Sequence, residues 1–448
     1  MKILRLVARE APKALVLVAF GFLCVLVGIA SARFEFFPYP LVRDAWKGAL
    51  AAQRMLFNAG DEEWAGGSAD RRRFEQSGVT RYDPTRALDG YTLYTSWHAP
   101  EAVLVDMTGK IVRRWHLPFS EVLAQSQSNR AAVPDDEVIL RQAQLLPDGD
   151  LVAVYERPNQ TPYGWGLARF DPEGRLRWSV IEHLHHDFAL GPDGRTYALG
   201  HEIRTGPREG LAPVEAPFFD EFLVILSPDG DVLERISIFD AFARSPYRNA
   251  LLELADLHNP KGDYLHPNAV ELVDERIAAR VPGWRAGQVL VSLLEMDGLA
   301  LIDPEAQEVV WFMRGAWHEQ HDPDLLPDGH ILLFDNQGDL AAGMHSQILE
   351  IDPVSGSIVW RFASTDEQSF YSKALGSQQV LDNGNVLITE SMRGRIFEIT
   401  RSGRVVWEYL NPAELNGFHA YVMDAQRLPA GTVPIRDDNW RKSARTSH

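Results

Sequence analysis

A four-strand unit recurs from about residue 90 to the end of the chain, and this repetition constrains the fold more than any single motif. Its first element is an apolar run, a Pro/Asp/Gly or Asp/Asn/Gly turn and a second apolar run. It reads QAQLLPDGDLVAVYE (142–156), HDFALGPDGRTYALGHE (186–202), HDPDLLPDGHILLFDNQG (321–338) and SQQVLDNGNVLITES (377–391). Such turn residues between alternating strands specify tight hairpins. The second element is a further hairpin, usually ending in an aromatic. It appears six times: AVLVDMTGKIVRRW (102–115), LARFDPEGRLRW (167–178), FLVILSPDGDVLERI (222–236), LALIDPEAQEVVW (299–311), QILEIDPVSGSIVW (347–360) and IFEITRSGRVVW (396–407). Six units of four short strands predict an all-β, six-bladed β-propeller. One four-stranded sheet cannot bury both of its faces, so neighbouring sheets must stack and the ring must close.

The ends of the repeat show how it closes. One clear strand, YTLYTSWH (91–98), precedes the first hairpin, and a surplus strand, GFHAYVMDAQRL (417–428), follows the last. The surplus strand is expected to complete the first blade, which ties the termini together and removes the free sheet edges.

The turn glycines act as a ruler along the innermost strands. Eight residues before Gly149, Gly194, Gly329 and Gly384 stand Arg141, His186, His321 and Gly376. His266 opens HPNAVELV and His419 opens HAYVMD in the same sense. Innermost strands line the channel of a propeller, so equivalent positions converge on the axis. Histidine occurs 14 times in 448 residues, and four of them share this register. The pattern predicts a ring of His186, His266, His321 and His419, with Arg141, at one mouth. Imidazoles titrate near neutrality and suit nucleophilic and acid–base chemistry. They also suit metals, with Asp187 or Asp322 as carboxylate neighbours, but the spacings HxH and HExxH of dedicated zinc sites are absent from the register. Neither a metal nor a cofactor is expected. The neighbouring His185, His201, His318 and His345 read as structural or solvated.

Ahead of the repeat, residues 14–32 (ALVLVAFGFLCVLVGIASA) carry no charge and follow Lys2, Arg5, Arg9 and Lys13. Nineteen residues at 1.5 Å each rise about 28 Å, close to the hydrocarbon thickness of a bilayer. The basic flank places the N-terminus in the cytoplasm. The expectation is a single-pass inner-membrane protein with its body on the periplasmic, extracytoplasmic side. A cleaved signal peptide ending at Ala30-Ser31-Ala32 is the alternative. The organisation expected is tip and transmembrane anchor over 1–33, stalk helix and linker over 34–84, propeller over 85–435 and a tail over 436–448. Residues 59–80 read as the linker part. The net charge of −18, or −22 beyond residue 33, excludes a basic face for nucleic acid. The single cysteine excludes a disulfide framework.

Four stretches together resemble the arylsulfotransferase family, the periplasmic aryl-sulfate sulfotransferases that work without a nucleotide sulfate donor and their membrane-anchored relatives. They are DGYTLYTSWHAPEAVLVDMTGKIVRRW (89–115), HHDFALGPDG (185–194), LHPNAVELV (265–273) and QHDPDLLPDGHILLFDNQG (320–338). The resemblance spans roughly residues 85–435. It implies transfer of a sulfuryl group from a phenolic sulfate ester to a phenol through a transient sulfo-histidine, with no cofactor. His266 with Asn268 matches one histidine strand of the family, and His321 matches another. Asp335-Asn336 falls where the family has a DNG segment. Sulfuryl oxygens need fixed donors in a dry site, and Arg141, Asn268 and Asn336 are the candidates. The family's substrate-binding arginine after that segment is missing from DNQGDLAAGMH (335–345), and Gly376 opens the sixth blade without a histidine. These departures keep two other readings open: a non-catalytic envelope propeller that binds a ligand or protein, and a metal-dependent hydrolase or lactonase.

Overall fold

The computed structural model describes Cys24 and residues 75–431, apart from 159, 207, 209–213, 257–261, 339–344 and 366–368. The expected membrane segment, stalk and C-terminal tail therefore lie outside the described residues. Among the described residues no helix is long and apolar enough to cross a membrane.

The repeat folds into six antiparallel sheets, and the protein is an all-β, six-bladed β-propeller. Blade 1 pairs the closing strand Val422–Pro429 with Gly90–Ser96, Glu101–Asp106 and Ile111–His116. The innermost strands of blades 2 to 6 are Ile139–Leu145, Leu184–Leu190, Pro267–Leu272, His321–Leu325 and Ser377–Val380. Each meander then runs outward through three further strands.

Side chains alternate between the two faces of a strand, and each face is packed on a different neighbour. In blade 5, Ile331 and Leu333 join Leu290, Leu299 and Leu301 of blade 4. Leu332 and Phe334 of the same strand join Val386, Ile388 and Phe397 of blade 6. The other interblade gaps are filled in the same way. Both faces are dry, so these strands read as near-continuous apolar runs.

The ring is closed twice. Val422–Pro429 pairs antiparallel with Gly90–Ser96, with Gly90 opposite Pro429, as the surplus strand implied. Residues 78–82, expected to be the end of the linker, instead form the strand Gly78–Tyr82. It adds a fifth strand to blade 6 outside Val405–Leu410. Arg427, whose side chain is fully buried, fastens the seam. It reaches Glu398 of blade 6 at 2.9 Å, the Leu88 carbonyl at 2.6 Å and Thr92 Oγ1 at 3.0 Å. Its guanidinium lies over the Trp407 ring.

Inside the channel the innermost strands carry acidic side chains. Burial, reinforced by Asp187 and Asp322, pushes the Glu271 carboxyl up to about 8. Burial raises Asp187 to about 7, and Asp322, Asp324 and Asp424 are raised as well, burial again the largest cause. Asp187 accepts the Val270 amide of blade 4, and Asp322 accepts the Gln378 amide of blade 6. These carboxyls thus tie inner strands together.

Two outcomes follow for stability. Arg427→Met leaves Glu398 buried without its cation and is expected to cost about 3–5 kcal/mol, read as a lower midpoint in denaturant. An unchanged midpoint removes the seam role. A carboxyl raised in the folded state binds a proton that the unfolded chain releases, so stability falls as pH climbs from about 4.5 to about 8 for Glu271. Glu271→Gln is expected to shrink the drop in Tm between about pH 5 and about pH 8.5.

Candidate active site at the channel mouth

Five of the six innermost strands break their ladder near the same mouth. Bulges fall at Arg141, at His186 and Asp187, at Asn268, at Asp322 and Pro323 and at Met423. A bulge adds a residue, kinks the strand and re-aims side chains. His186, His266 and Asp322 adopt left-handed φ values of 57°, 45° and 50°. Non-glycine residues resist this region, so the surrounding structure must enforce it. The sixth strand has no such bulge. There Gly376 has φ 108°, and a Cβ would stand 2.5 Å from the Phe334 ring. No histidine fits at that register position.

The structure brings His186, His266, His321 and Arg141 together. The His186 and His266 rings lie 5.0 Å apart, edge to face. The charges of His266, Arg141 and His321 all act on His186, and those of Arg141 and His266 act on His321. Arg141 donates to the Met423 carbonyl at 3.1 Å and faces Glu156 at 3.5 Å. His266 keeps 15% of its side chain exposed, which makes it the reachable member of a buried group. His419 is placed differently. It sits in the short strand Phe418–His419, shares Nδ1 with the Asn411 carbonyl at 2.7 Å and packs against Gly394.

Asn268 and Asn336 act on neighbours. Asn268 donates its amide to the Gln320 carbonyl at 2.7 Å, immediately before His321. Asn336 donates to the carbonyls of Ser372 and Leu375, which turns its oxygen toward His321 Nδ1 at 2.9 Å. The Glu319 carbonyl lies 3.1 Å from the same nitrogen. Two acceptors on Nδ1 fix the proton there and leave a lone pair on Nε2.

The three imidazoles titrate in opposite directions. Burial, then the Arg141 charge, pushes His321 down to about 3. Burial, then the charges of His266, His185 and Arg141, holds His186 well below 6.5. Burial also opposes charge on His266, but Asp263, 2.6 Å from its Nδ1, outweighs it and holds the imidazolium above 6.5. A buried neutral imidazole beside a buried charged one is an acid and a nucleophile in waiting.

Sequence reasoning missed the residues behind this pair. Tyr163, from a loop of blade 2, places its hydroxyl 3.1 Å from Asp263 and 3.2 Å from Glu221, and donates to one at a time. His185 Nδ1 meets His186 Nδ1 at 2.8 Å, and His185 Nε2 meets Glu221 at 3.2 Å. His201 stacks on Phe219 at 4.4 Å. Burial and the Asp263 charge raise Glu221, whereas His266 outweighs burial and lowers Asp263. Asp263 stands three residues before His266, a local signal. The His201–Glu221 pairing depends on strand register across a long connection and left no local signal.

Fold and site define a six-bladed propeller with an imidazole-lined channel mouth. The family model described as Arylsulfotransferase (ASST) matches residues 142–412, more than half of the chain, and the chain belongs to the arylsulfotransferase family. No curated protein matches it. Among solved structures it is similar to a Bacteroides caccae protein of unknown function at 13% identity, over 75% of this chain and 98% of that one, with a TM-score of 0.48. It is similar to streptogramin B lyase at 13% identity, over 79% and 87%, with a TM-score of 0.41. It is also similar to virginiamycin B lyase from Staphylococcus aureus at 13% identity, over 77% and 88%, with a TM-score of 0.40.

The Asp263 charge is what holds His266 up, so Asp263→Asn lets burial dominate. The His266 titration, followed by NMR of its ring protons, is expected to move from above 6.5 to below it. A histidine raised by folding stabilises the fold below about pH 6.5, and that contribution fades as pH rises through the raised value. The variant is expected to lack this fading. An unmoved His266 titration refutes the assignment.

Proposed function

We propose that the channel mouth transfers a sulfuryl group from a phenolic sulfate ester to a phenol, with His321 as nucleophile and His266 as general acid and base. Family membership supports the reaction class. The opposite titration of two imidazoles that act on each other electrostatically, one with Nδ1 held by Asn336, carries the assignment of roles.

The steps balance without a cofactor. His321 Nε2 attacks sulfur, an N–S bond forms and the bond from sulfur to the aryl oxygen breaks. The departing phenolate takes a proton from the His266 imidazolium, which it needs because phenols ionise only near ~10. An acceptor phenol then returns a proton to His266 and attacks the sulfo-histidine, which frees His321. Microscopic reversibility requires one group to serve both halves, and a titratable imidazole meets that need. The Arg141 guanidinium and the His266 imidazolium supply positive potential for the sulfuryl oxygens, while burial keeps competing water away. Asn268 and Asn336 act as positioning residues. Burial raises the carboxyls on the innermost strands below, which lessens their anionic repulsion of a sulfate ester. His419 and His186 stand at the margins of this scheme, His186 as a neighbour of the acid. The apolar segment 14–32 supports the further proposal that the propeller works on the extracytoplasmic face of a membrane.

Purified protein with 4-nitrophenyl sulfate and phenol tests the scheme. Without acceptor, one equivalent of 4-nitrophenolate per chain is expected as the sulfo-enzyme accumulates; with phenol, turnover is expected. His321→Ala is expected to remove the burst, and His266→Ala to slow turnover by about 10²–10⁴-fold. Unchanged rates in both folded variants refute the scheme. No turnover across aryl sulfates leaves a binding protein. Hydrolysis abolished by a chelator favours the metal-dependent reading, which His185, His201 and Glu221 keep in view.

A further inference from the structure

We propose that His185, His201 and Glu221 bind a divalent transition metal of the zinc class beside the histidine ring. Sequence reading expected no metal because it looked for ligands at short spacing. These three come from three adjacent strands of blade 3: Leu184–Leu190, Thr196–Arg204 and Phe218–Leu226. The ladder places His201 directly opposite Glu221 and His185 opposite Leu199, so the donors rest on a rigid sheet.

The geometry suits a small ion. One donor atom from each residue lies within 4.8 Å of the others. His185 Nε2 stands 3.2 Å, and His201 Nδ1 3.9 Å, from Glu221 Oε2. A tetrahedral zinc with bonds of about 2.0–2.2 Å has donor–donor edges of about 3.3–3.6 Å. Two imidazoles and a carboxylate are ligands that this class of metal takes.

A second observation points to a missing partner. The His201 side chain is fully buried, yet neither of its ring nitrogens has a hydrogen-bond partner. Buried polar groups normally have one. Glu221 is equally buried, and among the described residues its ion-pair partners are these two histidines alone. The adjacent Asp220 pairs with Arg204 and Arg208. A cation between the three donors gives the His201 nitrogen that faces Glu221 a partner and neutralises the buried carboxylate.

The surroundings supply the remaining parts of a metal site. Tyr163 OH stands 3.2 Å from the other Glu221 oxygen and orients the carboxylate from outside. A cavity of about 340 Å³, lined in part by Arg130, Glu182, His183, His201 and Arg235, offers a route to the ion. Metal on His185 Nε2 leaves that ring's proton on Nδ1, which then donates to His186 Nδ1 at 2.8 Å. The site would thereby hold His186 in place at the channel mouth. A rival group, Asp328, His330 and Glu350, is partly exposed and its Glu350 already pairs with Arg401.

The test reads metal content and does not use sulfuryl transfer, so it stands whether or not that reaction is found. The full chain is stripped with chelator, exposed to Zn²⁺ or Co²⁺, desalted and assayed for metal, with circular dichroism to confirm folding. One ion per chain, visible Co²⁺ ligand-field bands and a rise in Tm are expected. His201→Ala and Glu221→Gln are expected to lose the ion, and His330→Ala to keep it. Tyr163→Phe is expected to weaken binding by roughly 10–100-fold. Should His201→Ala fail to fold, the isosteric Glu221→Gln and the wild-type Co²⁺ spectrum decide. A folded wild-type chain that takes up no metal overturns the proposal. So does full stoichiometry in folded Glu221→Gln.

Discussion

Every blade of this protein is an incomplete object until its neighbours arrive. Each sheet has two apolar faces, and the clusters that fill the molecule are each shared between successive blades. Hydrophobic burial is therefore complete only in a closed ring, which includes the seam between blades 6 and 1. The chain closes that seam with two strands, one from each end of the repeat, and stitches it with Arg427. Burying an arginine is costly unless its partners are complete. Here Glu398, Thr92 and the Leu88 carbonyl take up Nη1 and Nε, and the Trp407 ring lies against the guanidinium plane.

Closure also creates the site. A ring of innermost strands must converge at the axis, so bulges at one level of five strands deliver side chains into one small volume. The strain at His186, His266 and Asp322 is sustained by the packed blades around them. Chemistry and stability thus draw on one framework. Arg141 and His266 stand at the mouth with their counter-charges Glu156 and Asp263, while burial raises the carboxyls of Asp187, Glu271, Asp322, Asp324 and Asp424 on the innermost strands.

How much of this was legible beforehand depended on whether the signal was local. Turn glycines, alternation and the surplus strand revealed six blades and their closure. The register of His186, His266 and His321 survived because repeats place equivalent residues at equivalent heights. The same ruler included His419, which the structure sets in a separate two-residue strand against Asn411 and Gly394. It also pointed to Gly376 as a vacant histidine position, where the Phe334 ring leaves no room for a side chain. Gly78–Tyr82 was hidden because a single strand in polar sequence lacks a hairpin partner nearby. The amides of Asn268 and Asn336 bond to the segment that carries His321 and to the loop after blade 5, and those partners have no local signal in the sequence.

The sequence by itself determined the architecture, because strand periodicity and turn chemistry are properties of short segments repeated along the chain. The surroundings of the imidazoles are a matter of tertiary structure. Asp263 charges His266, Asn336 locks His321, and Tyr163 bridges Asp263 to Glu221 beside His185 and His201. Protonation states follow from burial and from charges within a few ångströms, and those neighbours come from the same blade or from blades packed side by side.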